Sequence, residues 1–279
     1  MQSVVYRGIE GAGKKGPLEL PAELGPKEIL LKRTYANLCG ADVHYLASGA
    51  DLGHEGVGIV ENIGSAVTQF KIGDRAGAGY IRHRSAYGEK YFNTGTFGDY
   101  YAGHETYVHK IPDNLPSEFA APLQCAGATT YSAIIKSAKP SDRVGILGIG
   151  GLGHLAIQYS AKLGYETVVF SSSADKEAEA KFFGATEFYL LSEPETTIVP
   201  LSAPNTNIEL PSWPVFFDGY KLQSSLVASR QTHDDMLVFS AHHQITPTIE
   251  KFEFSEEGFA EAVAKLKSGK LRYRGVLVA

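Results

Sequence analysis

The sequence contains little cysteine: Cys39 and Cys125 are the only two in 279 residues. Two cysteines do not make the disulfide framework of a secreted scaffold, so a reducing cytoplasm is the expected compartment. A basic excess is also missing, because 26 Lys and Arg face 31 Asp and Glu, for a net charge of −5. This balance predicts no nucleic-acid and no membrane-surface partner.

Long apolar runs are absent as well. The N-terminal MQSVVYRGIEGAGKKG has no apolar core followed by a cleavage site, so no secretory signal is expected there. The most apolar stretch, VGILGIGGLGHLAIQYSA, is interrupted by glycines and by His154, which makes it a poor membrane span. The length instead suits two domains, each with a core of its own.

The chain divides into segments with two different patterns of predicted secondary structure. Short alternating strands at 29–34 and 56–63, with a turn at 71–74, are typical of a barrel-like β unit. From residue 143 onward, strands alternate with helices, which predicts a doubly wound parallel sheet. The predicted strands there are 143–147, 167–170 and 187–190, and the predicted helices are 152–163 and 175–183.

The strand-rich pattern of the first segment returns after residue 244. A strand is predicted within 245–254, a helix capped by Ser255 runs to Lys267, and a last strand covers 273–278. The predicted fold is therefore α/β, with an α/β domain inserted into a β-rich one. The predicted bounds are 1–137 for the β-rich domain, 138–244 for the inserted α/β domain and 245–279 for the return to the β-rich domain.

A glycine turn marks a candidate nucleotide site. Gly148, Gly150, Gly151 and Gly153 follow a predicted strand and open a predicted helix, where glycines permit a tight turn, a close approach to a pyrophosphate and helix–strand packing. The end of the second strand carries hydroxyls and a lysine rather than an acid, which favours NADP over NAD. These residues are Ser171, Ser172 and Lys176. The acid Asp175 lies close by in the sequence and argues against a preference for NADP. The alternatives are a βα turn without a ligand and a serine loop that only caps the helix.

A second candidate site is a metal centre around Cys39. Asp42 and His44 follow it closely, and the pair His54-Glu55 comes soon after. A thiolate, an imidazole and a third soft ligand with one open position describe a catalytic zinc site. Taken singly, a buried cysteine or a surface histidine needs no metal.

Six motifs occur in a fixed order along nearly the whole chain: CGADVH, GHEGVGIV, KIGDRAGAG, KIPDNLPSEFAAPLQCAGATTYSAI, GILGIGGLGHLAIQYSAKLG and SGKLRYRGVL. Together they resemble the zinc-dependent medium-chain alcohol dehydrogenases, and in particular the cinnamyl-alcohol-dehydrogenase-like branch that uses NADP. The resemblance implies a GroES-like β-rich catalytic domain and a Rossmann domain that binds the nucleotide.

The resemblance also implies roles for single residues. Cys39, His54 and Cys125 match the ligands of the catalytic zinc, and Glu55 matches a carboxylate that visits the metal during ligand exchange. The other implied roles are Asp42 orienting a ligand histidine, His44 ending a proton relay, Thr129 lying near the nicotinamide and Arg274 approaching the cofactor phosphates.

The implied function is interconversion of a primary alcohol and its aldehyde, with zinc polarising the substrate oxygen and NADP(H) carrying the hydride. A small-molecule substrate is expected, and a homodimer is consistent with the family.

Four features depart from the family pattern. Ala41 stands where the family has the Ser or Thr that begins the proton relay, and Cys39 is only 15 residues from His54. The four cysteines of the structural-zinc lobe are missing, and His83 and His104 do not replace them. The doubly wound sheet is expected to be shortened, because a proline-rich stretch, 192–214, takes the place of further helices and strands.

These departures leave two alternatives open. One is a zinc-independent NADPH reductase of an activated double bond or an iminium, motivated by Ala41. The other is a truncated, non-catalytic remnant that binds NADP, motivated by the shortened sheet.

Overall fold

This computed structural model describes residues 3–82, 85–86, 95–190 and 225–279. Within these ranges, most of the predicted strands and helices lie near their predicted positions. The strands are β1 (Val4–Ile9), β2 (Ala12–Pro17), β3 (Glu28–Leu38), β4 (Gly56–Ile63), β5 (Arg75–Ala78), β6 (Ile81–Arg82), β7 (Ser85–Ala86), β8 (Tyr100–His104), β9 (Val108–Lys110), β10 (Arg143–Leu147), β11 (Glu166–Ser171), β12 (Glu187–Leu190), β13 (Ile249–Glu253) and β14 (Arg274–Val278). The helices are α1 (Gly40–His44), α2 (Ser117–Pro122), α3 (Ala128–Ser137), α4 (Gly153–Lys162), α5 (Glu177–Phe183), α6 (Arg230–His243) and α7 (Glu256–Lys267).

The first compact unit, residues 1–126 and 229–279, is built on a seven-stranded sheet. Its strands follow the order β13, β14, β3, β4, β5 and β9, and β8 also pairs with β3. Only the β13–β14 pair is parallel. Aromatic and aliphatic side chains from β1, β3, β14, α7 and the segment before β8 form one core of this unit, which includes Tyr6, Leu38, Phe97, Phe259 and Leu277.

The last helix of the chain begins where the sequence predicts. The Ser255 hydroxyl accepts a hydrogen bond from the Gly258 amide, and two glutamates follow it in the first turn. The helix ends at Lys267, also as predicted. The cap therefore determines where this helix begins, and Phe259, Ala262 and Val263 pack it on the core.

The second compact unit, residues 127–228, contains a parallel sheet. Within its described residues, the strands lie in the order β10, β11, β12, and helices α4 and α5 connect them. Gly184, at φ +112°, ends α5 in the left-handed conformation, as a glycine at that position predicts. This is the parallel arrangement of strands with connecting helices that the alternating pattern predicts.

The residue boundaries of the two compact units differ from those of the predicted domains. Helix α3 belongs to the second unit, although the predicted catalytic domain runs to residue 137, and α6 belongs to the first, although the inserted domain was predicted to run to residue 244. Helix α3 packs on α4 within its unit, and α6 packs on β9. The assignment of domains by function stays a prediction.

Some predictions fall outside the described residues. These are the shortened-sheet segment at 192–214, the late strand at 198–201, the aromatic residues Trp213, Phe216 and Phe217, the tyrosines Tyr87 and Tyr91, and His83. No helix in the described ranges is long and apolar enough to cross a bilayer.

A stacked histidine pair joins α6 to β9 in the first unit. The rings of His109 and His233 are nearly parallel, with centroids 3.7 Å apart, and both side chains are buried. The Asp234 carboxylate lies 2.7 Å from His109 Nδ1. Burial lowers the pKa of both imidazoles, and the Arg230 charge adds to the effect at each, while Asp234 opposes it at His109.

This pair predicts a loss of stability in acid. A histidine whose pKa is lower in the folded chain contributes its full stability above pH 6.5, its unfolded value, and loses it as pH falls further. Each histidine that stays neutral is expected to cost about 1 kcal/mol for every pH unit below that point. His233→Phe, which keeps the ring stacking, should flatten the fall in melting temperature between pH 7.5 and pH 5.5. His242→Phe, an exposed change on the same helix, should leave the fall intact, and an unchanged profile in His233→Phe would contradict the argument.

Candidate metal centre

Three metal-ligating side chains converge in the first unit. One ligand atom each from Cys39, His54 and Cys125 lies within 4.8 Å of the other two. Cys39 is the N-cap of α1 directly after β3, His54 precedes β4, and Cys125 lies in a π-helical turn after α2. The short Cys39–His54 segment therefore still closes back on itself and brings its two ends together.

The pKa values of the two thiols are shifted in opposite directions. A hydrogen bond from the Cys125 thiol, aided by the charges of His54 and Arg274, holds the pKa of Cys39 well below its usual value despite burial. The same hydrogen bond and burial raise the pKa of Cys125. Cys39 is accordingly the thiolate of the pair, and a thiolate is the form that binds metal.

The Asp42 side chain makes hydrogen bonds to two of the three converging residues, His54 and Cys39. Its side chain is fully buried, and Oδ1 lies 3.0 Å from Nδ1 of His54. The other oxygen, Oδ2, accepts a hydrogen bond of 2.9 Å from the Cys39 amide. Burial acts to lower the pKa of His54, but the charges of Asp42 and Cys39 outweigh it and raise that pKa well above its usual value. Because Nδ1 is engaged by Asp42, Nε2 is the atom left for a metal.

This donor set fits zinc. Two sulfurs and one imidazole nitrogen, with a carboxylate behind the histidine, match a catalytic zinc site that keeps its fourth position open. Cys39, His54 and Cys125 would hold the ion. Among the described residues, this is the one group of three or more Cys, His, Asp or Glu side chains close enough to share a metal.

Glu55 has other partners in this structure. Its fully buried carboxylate accepts hydrogen bonds from Arg274 Nη2, at 2.7 Å to Oε1, from the Ala126 amide at 3.1 Å, and from the Asn37 side chain. Burial raises the pKa of Glu55 to about 7, although the Arg274 charge opposes the shift. The structure thus places Arg274, predicted to approach cofactor phosphates, on Glu55, predicted to visit the metal.

The glycine turn of the second unit requires glycine at two positions, Gly148 and Gly153. Gly148 has φ +85°, and its amide donates to the Phe170 carbonyl at 2.8 Å. A Cβ on Gly153 would lie 2.0 Å from the Gly148 oxygen, so only glycine permits this close packing of helix and strand. A Cβ on Gly150 would meet nothing within 4 Å, so its backbone faces open space. Gly151 lies between them, just before α4.

Among the residues predicted to favour NADP over NAD, Lys176 contacts this turn. Its Nζ donates a hydrogen bond of 3.0 Å to the carbonyl of Ile149, inside the glycine turn. The Ser173 hydroxyl binds the Asp175 carboxylate, the acid that counted against NADP. Ser171 is buried and bonds within its own turn, whereas Ser172 is exposed. Thr129, predicted to lie near the nicotinamide, is buried in α3.

Comparison with known proteins agrees with this geometry. Residues 25–113 match the family model of the alcohol dehydrogenase GroES-like domain. The chain is 29% identical to a probable mannitol dehydrogenase of Fragaria ananassa, covering 91% of this chain and 89% of that protein. It is also 29% identical to NADP-dependent alcohol dehydrogenase C 1 of Mycolicibacterium smegmatis, covering 91% of each. A cinnamyl alcohol dehydrogenase from Sorghum bicolor has a similar structure, with a TM-score of 0.85 at 24% identity over 99% of this chain and 96% of that one.

The chain is therefore similar to alcohol dehydrogenases along most of its length. Residues 25–113, in the β-rich unit, form a GroES-like domain, and the fold of the parallel sheet resembles that of the corresponding domain in the dehydrogenase structures. The alignment with the mannitol dehydrogenase spans 320 positions, more than the 279 residues of this chain, so that relative carries residues that this chain lacks.

The hydroxyl that the resemblance implies at the start of a proton relay is missing from α1. Ala41, half-buried in α1, presents a methyl group where the resemblance implies a hydroxyl, and His44 is exposed on the same helix. Tyr80 was not identified from the sequence, although its ring stands edge-on to His54 with centroids 5.1 Å apart. The pairing of β4 with β5 is the signal that would have found it, because extending that register places residue 80 opposite residue 54.

Proposed function

We propose that this protein is a zinc- and NADP-dependent alcohol dehydrogenase or aldehyde reductase acting on a primary alcohol and its aldehyde. The convergence of Cys39, His54 and Cys125 carries the proposal, because a thiolate-rich set with a carboxylate-oriented histidine suits a catalytic zinc. When bound, zinc supplies Lewis acidity toward the substrate oxygen, and the nicotinamide supplies the hydride. The protein holds both groups and sets their electrostatic surroundings.

The preference for NADP rests on the second unit. No acid follows β11 directly, and Lys176 holds its ammonium group against the glycine turn, where a 2′-phosphate would add negative charge. Asp175 is engaged by Ser173. The NADP-dependent relative from Mycolicibacterium smegmatis supports the same assignment.

Steady-state reduction assays test the proposal. The zinc-loaded protein should oxidise NADPH with a panel of aliphatic and aromatic aldehydes, and removal of the metal by a chelator should abolish this activity. The same panel should contain enones and cyclic iminium ions. Turnover of those compounds alone, unaffected by the chelator, would contradict the proposal.

A zinc-independent NADPH reductase of an activated double bond or an iminium is the second candidate. Ala41 favours it, because the described part of α1 offers no hydroxyl to relay a proton toward an alcohol oxygen. The truncated NADP-binding remnant predicts binding without any turnover in these assays. The cytoplasmic location, the homodimer, and the roles of Thr129 and His44 stay predictions.

Lys176→Ala should weaken NADPH binding by about tenfold and leave NADH binding unchanged, because one charge-assisted contact to the 2′-phosphate is lost. Thermal-shift titration with each nucleotide measures both affinities. Lys181→Ala removes one lysine charge from α5, where Lys181 pairs with Glu177, and serves as the matched control. An equal loss for both nucleotides in Lys176→Ala would contradict the assignment.

A further inference from the structure

His154 is a buried histidine to which neither the metal centre nor the nucleotide contacts described above give a role. It is the second residue of α4, directly after the glycine turn, and its side chain is fully buried. The imidazole ring packs against Phe183 of α5, with the ring centroids 5.7 Å apart. A buried polar side chain is almost always hydrogen-bonded, and the group that it binds indicates what it does.

The imidazole of His154 is hydrogen-bonded to the glycine turn. Its Nδ1 lies 2.9 Å from the carbonyl oxygen of Gly150, and the His154 amide donates to the same oxygen at 3.1 Å. A carbonyl oxygen only accepts hydrogen bonds, so Nδ1 carries a proton in this contact. Two donors of a single residue therefore hold the Gly150 carbonyl against the start of α4.

The direction of this carbonyl also sets the direction of the next amide. In a trans peptide, the C=O of Gly150 and the N–H of Gly151 point in opposite directions. Because the carbonyl points toward α4, the Gly151 amide points away from it. Gly151 is only half-buried, and within the described part of the chain its amide donates to no acceptor. This N–H is thus free to bind a phosphate oxygen, next to the positive end of α4.

The two adjacent glycines need such a restraint. A Cβ on Gly150 would meet no atom within 4 Å, so packing does not restrict this residue, and glycine has the most freely rotating backbone of all residues. A ligand that must order a free segment on binding loses affinity through the entropy cost, whereas a segment that is already ordered binds more tightly. The hydrogen bond from His154 supplies this order before the nucleotide arrives.

We propose that His154 is a positioning residue for NADP(H): its Nδ1–H fixes the Gly150 carbonyl and so presents the Gly151 amide to the pyrophosphate. This inference rests on the proposed function, in which the glycine turn binds the nucleotide. It gives His154 no contact with the nucleotide itself. It also separates two parts of the site, because Lys176 is expected to act on the 2′-phosphate and His154 on the pyrophosphate.

His154→Leu tests this role, because leucine keeps similar bulk against Phe183 but has no N–H. In fluorescence titrations, the dissociation constants of NADPH and NADH should rise alike by about 3- to 10-fold, the range expected for one neutral hydrogen bond. His154→Phe, which keeps an aromatic ring, should give the same result. His154→Asn should regain most of the affinity for both dinucleotides, since its side-chain amide N–H can reach the same carbonyl.

Adenosine 2′-monophosphate is the probe that separates positioning from a general loosening of the unit, because it has the 2′-phosphate but no pyrophosphate. Its affinity, measured by displacement of NADPH, should be unchanged in His154→Leu. Lys176→Ala should show the reverse pattern, with weaker binding of NADPH and adenosine 2′-monophosphate and unchanged binding of NADH.

Ser160→Ala is the matched control within the same helix. Ser160 is also fully buried in α4, where its hydroxyl and that of Thr167 share a hydrogen bond of 2.7 Å away from the turn. Ser160→Ala should melt at a lower temperature than the wild type but bind both dinucleotides equally well.

The outcomes separate this inference from the function beneath it. Wild-type protein that binds NADPH and reduces aldehydes, together with His154→Leu that binds both dinucleotides as tightly, would overturn the role of His154 and leave the proposed function standing. An equal loss of affinity for adenosine 2′-monophosphate would also overturn that role. Zinc-loaded wild type that neither binds NADPH nor reduces aldehydes would overturn both.

Discussion

Cys39→Ser should reduce bound zinc from about one ion per chain to less than about a tenth, because it replaces the only stable thiolate of the centre with a poor zinc ligand. Reduction of aldehydes with NADPH should fall at least ~1000-fold in the same protein, since the Lewis acid is lost with the metal. Elemental analysis of freshly purified protein measures the zinc directly.

Two further variants define which side chains matter for zinc. Cys125→Ser should lose zinc in the same way, because it removes a second of the three converging donors. His44→Ala removes an exposed imidazole on α1 outside that set and should retain the metal. Full zinc content in Cys39→Ser would contradict the assignment of the ligands.

Arg274→Leu should destabilise the fold by about 3–5 kcal/mol, because it leaves the carboxylate of Glu55 buried and without its cation. Arg274 is 5% exposed and Glu55 0%, so water cannot take the place of the guanidinium. Denaturant unfolding measures the loss. Changing both partners, as in Arg274→Leu with Glu55→Gln, should be milder than Arg274→Leu alone, since no buried charge then remains unpaired.

The cost of Arg274→Leu should also depend on pH. The folded-state pKa of Glu55 is already raised to about 7 from an ordinary value of 4.5, and losing Arg274 raises it further. A carboxyl group with a raised folded pKa keeps its stability below the unfolded value and loses it as pH rises. The variant should therefore be less stable at pH 8 than at pH 6. Arg272→Leu, an exposed change two residues away, should alter stability by no more than about 0.5 kcal/mol, and an equal loss in both variants would contradict the ion-pair argument.

Local patterns predict most of the elements because their causes are local. Strands β4, β10 and β12 have the predicted bounds, since alternating or continuous apolar residues end at turn residues there. The helix after Ser255 follows from its cap. Strand β13 is shorter than predicted, and α6 begins at Arg230, five residues before the predicted helical stretch at 235, because Ser229 caps it.

The resemblance of three motifs to a known family predicts Cys39, His54 and Cys125 as metal ligands, and the three side chains do converge. Their surroundings could not be predicted in this way. Arg274 and Glu55 are 219 residues apart in the sequence, and they come together because β3 pairs with both β14 and β4. The edge-on contact of Tyr80 with His54 likewise depends on strand register. Such contacts between distant segments have no local signature.

Transfer of deuterium from NADPH labelled at the reactive C4 position is the most direct test of the central claim. The zinc-loaded protein should reduce an aldehyde to a primary alcohol that carries one deuterium on its carbinol carbon, and Cys39→Ser should produce none. Alcohol without the label, or no alcohol from protein that holds one zinc per chain and binds NADPH, would contradict the assignment of this chain as an alcohol dehydrogenase.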